Sequence, residues 1–529
     1  LTNLAESLAH KNPVYAWDTK RWVERQVSKA RKLGSVLEKE YIRKVKKTGH
    51  DRDANIWLRK TVDSICRSDL NLAAYDDEIQ RFCDIKALQC ERIIYRHGLE
   101  PVRELMSVYG LKFPKDKSGK ECPKRAACKK WWRRQVRALA HRECEHICRK
   151  TGIVSKRQQK YVSDFTFNRW LESQQRNQSL MLALEAENDQ GQKYTLAELS
   201  DLGQSNPVNR RNELMVRMRG FEEWAERDAR KWIPLFLTVT TPSKYHSTHS
   251  KGFKNASYQG STPRQAQAYL TKLWAQIRAE LARDEVEYFG FRVAEPHHDG
   301  TPHWHMLLFV LADHAELLAD TVREYALRED GWEPGAKEYR FECVEITADK
   351  GTPTGYIAKY VAKNIDGFMV GVDLETNAPA VEMSARVKAW ASVWGIRQFQ
   401  QIGGPPVTVY RELRRLANHP EQLPLIGSEE IDFSSLLLAA DTADWSEFVE
   451  KMGGAVCRRD ARPLRIWYRQ KEQLGRYAEA LKEIKGLWSW WFVFPLKSRV
   501  REWKVGFKER VGEIAHSLRA PPRALDLCQ

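Results

Sequence analysis

Two apolar runs, Tyr288–Ala294 and Met306–Val310, flank a short segment that carries Asp299-Gly300. Runs of this length read as buried strands. Asp-Gly between two such runs is a strong short-range signal for a β-hairpin. The pairing constrains the fold tightly, because side chains two apart on a strand share a face. His303 and His305 lead into the second run, so both imidazoles point one way and Trp304 points the other. Glu295 ends the first run and lands beside His303 once the hairpin closes. Two neutral imidazoles and a carboxylate form a donor set for a divalent metal, with room left for substrate oxygens. His297 and His298 fall on the loop, and the strand pair fits ligation better.

A second stretch, Gly355 to Asn364, reads as a helix. Tyr356 and Tyr360 are four apart and share a face; Lys363 lies close to it. A phenol, with an ordinary pKa of about 10, is a poor nucleophile at neutral pH. A metal that polarises the electrophile and a cation that favours the phenolate would activate it. Two tyrosines one turn apart are also commonplace in cores, but Lys359 and Lys363 beside them argue against a wholly apolar setting.

The chain has 529 residues, room for about three domains. Its formal charge of +17 points to a polyanionic partner. No apolar run approaches the ~18 residues of a membrane span; the nearest, Leu487–Phe494, is too short. No signal pattern opens the chain. Ten scattered cysteines fit a reducing cytoplasm better than a disulfide framework.

Residues 1–115 read as basic helices. The stretch that follows, 116–230, also reads as helical and carries Cys122, Cys128, Cys144 and Cys148. Four thiolates can close a structural zinc site, with His141 or His146 as substitutes. The spacing is not a standard finger spacing, and buried core cysteines are the competing reading. Trp131, Trp132, Arg133 and Arg134 interleave aromatics with cations, which suits stacked bases and phosphates; a tryptophan pair in the core with arginines outside fits equally. From Ile233 the pattern changes: strand to Thr240, helix Pro263–Arg283, the hairpin, helix Asp313–Arg328, strand Phe341–Ile346. That β-α-β-β-α-β order is ferredoxin-like, with a four-stranded antiparallel sheet. Gly403-Gly404-Pro405-Pro406 marks a turn or boundary. Beyond about residue 420 helices are expected, with an aromatic cluster at Trp488–Phe494 and a basic stretch at Lys497–Arg510. The expected divisions are 1–115, 116–230, 231–405 and 406–529. The fold class is α+β, a central sheet domain flanked by mainly helical regions.

His-apolar-His on a strand followed by a Tyr-x-x-x-Tyr helix with a trailing Lys resembles the HUH endonucleases. Three longer phrases, Phe236–His246, Phe291–His305 and Trp394–Gly404, are similar to the replication gene A proteins of tailed bacteriophages. The similarity is dense from about Asn206 to Leu416. It implies a rolling-circle replication initiator in the bacterial cytoplasm. His303, His305 and Glu295 would hold Mg²⁺ or Mn²⁺. Tyr356 or Tyr360 would nick single-stranded or supercoiled origin DNA, leaving a 5′-phosphotyrosine and a 3′-OH, and later rejoin the strands. Lys363 would steady the phenolate or phosphate, and Lys359 would contact DNA. Thr238 and Thr240 match the family's first motif and would support the metal strand. Arg210–Arg219, also similar, either packs on the core or touches DNA. The sequence holds no Gly-x4-Gly-Lys-Ser/Thr phosphate loop, so host helicase and polymerase are implied. A relaxase or single-strand transposase of the same chemistry, a non-catalytic origin-binding protein, and a water-using metal hydrolase are the alternatives.

Overall fold

The computed structural model describes residues 13–368, 372–373, 378–422, 433–489 and 494–508. Trp490, Trp491 and Phe492 of the expected aromatic cluster, and the end of the basic C-terminal stretch, lie outside the described residues. The chain divides into two compact units. One runs to Asn168 and takes in Ser247–Lys254 and Leu474–Glu479; the other comprises Arg169–His246, Asn255–Gln473 and the chain from Ala480. Among the described residues no helix is long and apolar enough to cross a membrane.

The first unit is built from helices, among them Gly34–Thr48, Arg52–Ile65, Asp76–His97 and Lys129–Lys150. Their apolar faces close over a core that includes Leu37, Tyr41, Leu58, Cys83 and Trp132.

The second unit is organised on a five-stranded sheet. Its elements are helix α1 (Pro207–Arg227), β1 (Trp232–Val239), α2 (Pro263–Arg283), β2 (Tyr288–Pro296), β3 (Pro302–Leu311), α3 (Ala315–Leu327), β4 (Phe341–Glu345), α4 (Pro353–Ile365), α5 (Ala380–Trp394) and β5 (Phe399–Ile402). The strand order is β5-β2-β3-β1-β4, antiparallel throughout. Alternation sorts the side chains. Phe236, Phe291, Val293, Leu307 and Phe309 join one core with α1 and α4. Trp304 faces the opposite way and donates its indole N–H to Gln267 on α2 at 3.1 Å.

Local chemistry sets the ends of these elements. Thr262 and Gln265 form a capping box ahead of Pro263, so α2 starts where the chain can satisfy its first amides. Gly403 and Gly404 both adopt positive φ. A Cβ on Gly403 would lie 2.7 Å from Phe289 Cβ, and one on Gly404 would lie 2.4 Å from Phe221 Cζ. The Gly-Gly-Pro-Pro turn is therefore a backbone packed against the core, open only to glycine.

Two expectations are corrected. The helices expected beyond residue 420 are Phe433–Asp441 and Trp445–Lys451; then come strands Arg465–Leu474, Ala480–Trp488, Leu496–Lys497 and Trp503–Phe507. Within 156–230, Leu184–Asn188 and Lys193–Thr195 are likewise strands. The charge of Leu184–Asn188 and Arg465–Leu474 masks a strand pattern, and for Trp503–Phe507 the pairing is remote. Trp503–Phe507 adds to Leu184–Asn188, a partner that composition near residue 505 does not reveal. Gly486 lets Leu496–Lys497 approach, since a Cβ there would sit 1.8 Å from the Leu496 carbonyl oxygen.

Candidate metal and nucleophile site

The hairpin delivers its residues in register. Glu295 pairs opposite His303, and His305 lies opposite both Val293 and Thr238. The loop is locked from inside. Asp299, fully buried, accepts from the Thr301 backbone N–H at 2.9 Å and from the Thr301 hydroxyl at 2.9 Å. Gly300 takes positive φ, and its carbonyl accepts from the Trp390 indole N–H at 2.7 Å. A one-residue slip would turn His303 and His305 to the other face.

Glu295, His303 and His305 are all buried, and each offers a donor atom within 4.8 Å of the others. His303 Nε2 and His305 Nε2 lie 2.9 Å apart. Glu295 Oε2 is 3.9 Å from His305 Nε2. Burial first, then the Lys363 and Lys359 ammonium groups, push the His305 pKa down to about 3. Burial and the neighbouring His297 also hold His303 well below the usual imidazole range. Both rings are thus neutral at physiological pH, the state a metal ligand requires. His305 Nδ1 is 3.2 Å from the Thr238 hydroxyl, a contact that orients the ring with Nε2 toward the site. Thr240, by contrast, donates to the Tyr339 carbonyl at 2.8 Å. This N₂O donor set fits a divalent cation, and the buried cluster can hold one.

Helix α4 lies over the donor set. Thr352 caps it, accepting from Gly355 N–H at 3.1 Å. Helix α1 clamps both ends: Glu222 accepts from Thr354 N–H at 2.9 Å, and Arg211 pairs with Asp366. The Arg210–Arg219 stretch therefore packs on the core, with Leu214 and Met218 inside it. The Tyr360 ring lies 4.2 Å from the His305 ring. Tyr356, one turn earlier, rests on Phe236 at 5.0 Å. The Lys359 ammonium is 4.9 Å from the Tyr360 ring and 5.7 Å from the Tyr356 ring. Lys363 Nζ is 3.7 Å from Glu295 Oε2.

Two residues that the sequence reading gave no role belong here. Asn364 donates to Glu295 Oε1 and to the Tyr360 carbonyl, the latter at 2.7 Å. Gln398 donates to Asn364 Oδ1 at 3.0 Å. Buried amides thus fix the carboxylate on its helix side. Their signal was Asn364 sitting four beyond Tyr360, and Gln398 opening the polar phrase that becomes β5.

The other expected site residues fall in the first unit. No three of Cys122, Cys128, Cys144 and Cys148 bring their sulfurs within 4.8 Å of one another. Cys144 donates to the Leu72 carbonyl at 3.7 Å, and burial raises the Cys148 pKa well above its ordinary value. Cys122, Cys144 and Cys148 are buried and Cys128 is half-buried, the setting in which a thiol also serves as a small core group. Trp131 and Trp132 are buried, and Trp132 donates to the Ala126 carbonyl at 2.7 Å. Neither ring is open to a base. Arg133 holds Asp84 at 2.8 Å, while Arg134 is exposed.

Fold and site define a class: an α+β protein whose antiparallel sheet carries a buried metal-donor set beneath a helix with paired tyrosines. Residues 114–368 match the family described as bacteriophage replication gene A protein. The chain is 41% identical over 388 residues to the replication gene A protein of Escherichia phage 186, covering 72% of this chain and 55% of that protein. It is 39% identical over 397 residues to the replication protein of Haemophilus phage HP1, covering 74% and 49%. A protein of Salmonella typhimurium named probable replication endonuclease from prophage-like region is 32% identical over 376 residues, covering 69% and 46%. The chain belongs to the bacteriophage replication gene A protein family, and it spans about half the length of these relatives. No solved structure matches it.

Proposed function

We propose that the chain is a rolling-circle replication initiator of the HUH type, a tyrosine endonuclease that nicks one strand of a phage origin. The observation that carries this reading is the Tyr360 phenol ring 4.2 Å from the His305 ring, beside a buried Glu295–His303–His305 donor set. The strand order, in which β2, β3, β1 and β4 form a β-α-β-β-α-β sheet with β5 added at its edge, supports a ferredoxin-like HUH domain.

When bound, Mg²⁺ or Mn²⁺ would supply Lewis-acid stabilisation of charge on the scissile phosphate. His303, His305 and Glu295 would hold that ion, and Asn364 and Gln398 orient the carboxylate. A tyrosine oxygen attacks phosphorus, the bond to the 3′ oxygen breaks, and the DNA is left with a 3′-OH and a 5′-phosphotyrosine. The linkage keeps the phosphodiester energy for rejoining. Lys359, exposed over both tyrosine rings, meets the approaching strand. Lys363, tied to Glu295, steadies charge on its inner side. Tyr360 lies against the donor set, so it makes the first cut; Tyr356 serves the second at the regenerated origin. Host helicase and polymerase would then extend the 3′-OH.

An adduct assay tests this. Labelled single-stranded origin DNA is incubated with the protein and Mn²⁺, denatured, and examined for label on protein. The expected result is a metal-dependent adduct, reduced most in Tyr360→Phe and absent in the double variant with Tyr356→Phe. Cleavage without adduct would instead indicate a water-using nuclease.

A further inference from the structure

We propose that a groove along the β5 edge of the sheet, reaching from Arg397 to the Tyr288 end of β2, holds the single-stranded DNA that leads away from the cut, which rests on the nuclease reading above. The groove has a volume of about 1400 Å³. Small-molecule sites run to ~1,000 Å³, so its size suits a polymer segment. It is lined by Arg397, Arg458, Arg459, Arg462 and Arg465, with Tyr468 on its wall. Among the described residues two carboxylates line it, Glu287 and Asp460, so five cations against two anions leave a surplus of three positive charges.

The arginines divide by role. Arg462 is buried and donates to the Met452, Gly454 and Cys457 carbonyls at 2.8–3.1 Å, which shapes the floor. The Arg458 side chain is 85% exposed, with Asp460 at 3.5 Å. Arg459 is exposed and has no acidic partner among the described residues. Glu287 is already engaged by Arg230 at 2.7 Å. Tyr468 is 53% exposed, an aromatic face beside the cations. Guanidinium groups bind phosphate oxygens bidentately, and exposed aromatics stack bases of any sequence.

Position connects the groove to the chemistry. Tyr288, at its rim, and Glu295 are the near and far ends of β2, seven residues apart. At about 3.3 Å per residue that is ~23 Å, a span that a strand covers in a handful of nucleotides. Strand β5 runs beside β2 over the same path, Ile402 opposite Gly290 and Phe399 opposite Val293. The rigid Gly403-Gly404-Pro405-Pro406 turn forms the groove's lip. The sheet edge thus joins a phosphate-binding groove to the cutting site.

The test is binding of fluorescent oligothymidylate to the full chain, by anisotropy over a salt series, in EDTA so that no cleavage intervenes. Arg458→Ala/Arg459→Ala is expected to lower affinity and to reduce the slope of log K against log salt by about 1.4, at ~0.7 per phosphate contact. Tyr468→Ala is expected to lower affinity about tenfold with the slope unchanged. Both changes are at exposed positions, and an unaltered melting curve checks the fold. If the wild type binds and the arginine variant keeps the same slope, the groove is not the binding site. If the wild type binds no single strand at all, the DNA reading falls with it. If polyglutamate displaces the oligonucleotide and Tyr468→Ala has no effect, the groove takes an acidic protein segment and the proposal is overturned.

Discussion

At the residue scale, the site rests on how buried groups are fixed rather than on which groups are present. Asn364 holds Glu295 and is itself held by Gln398 at 3.0 Å. Truncation of such supporting groups typically costs 10–100-fold in metal affinity. Asn364→Ala is therefore expected to weaken Mn²⁺ binding by roughly that factor in calorimetry, and Gln398→Ala by less. Equal affinity in Asn364→Ala and wild type would remove the amide from the site. The imidazoles make a second prediction. Burial first, then Lys363 and Lys359, hold His305 at about 3, whereas an unfolded histidine titrates near 6.5. Below about 6.5 the unfolded chain therefore binds more protons than the folded one. Stability is full above that value and declines as pH falls toward the folded pKa. Melting temperatures of metal-free protein should drop with acid below pH 6.5, and less steeply in His305→Gln. Parallel curves would contradict this. His303 and His305 were legible because a two-residue period has one meaning on a strand, and Tyr356 and Tyr360 because a four-residue period has one on a helix. The four cysteines were not, because a buried thiol and a zinc ligand are the same letter and only convergence separates them.

At the element scale, apolar strands such as Trp232–Val239 were readable even with remote partners, while charged ones such as Leu184–Asn188 and Arg465–Leu474 were not, even with partners close by. The β2–β3 hairpin announces itself through Asp299-Gly300, but Arg465–Leu474 carries enough charge to pass for a solvated helix. Its Ile466, Trp467 and Tyr468 fit a strand, yet that preference decides only once Ala480–Trp488 follows as a partner. The Gly403-Gly404 turn was visible as a boundary, while its packing was not. It shapes both β5 and the groove lip, so it can be tested directly. Gly404→Ala forces an alanine into positive φ and its methyl against Phe221. A cost of about 2–4 kcal/mol is expected from strain plus overpacking. Gly191, also at positive φ but with nothing within 4 Å of a new Cβ, isolates the strain alone, at about 1 kcal/mol. Urea midpoints of the two variants would measure the difference, and equal losses would mean the turn is not closely packed.

At the scale of the whole molecule, two separate hydrophobic cores lie in one chain. One gathers Leu37, Tyr41, Leu58 and Trp132; the other gathers Phe221, Phe289, Phe291, Leu307 and Trp445. The donor set belongs to the second unit alone, since Glu295, His303 and His305 all fall within Asn255–Gln473. A ligand stabilises only what it must bind folded, by RT ln(1 + [L]/Kd), about 2.7 kcal/mol at a hundredfold excess over Kd. Calorimetry should therefore resolve more than one transition, and Mn²⁺ should raise one of them and leave another in place. His303→Ala/His305→Ala should abolish the shift without removing the transition that metal does not move. A single transition that moves as a whole would mean that the two cores melt as one cooperative body. A shift that survives loss of both histidines would place the metal elsewhere. This outcome bears on the chemistry as well. A metal that acts on one core only leaves the helical unit's stability independent of the metal.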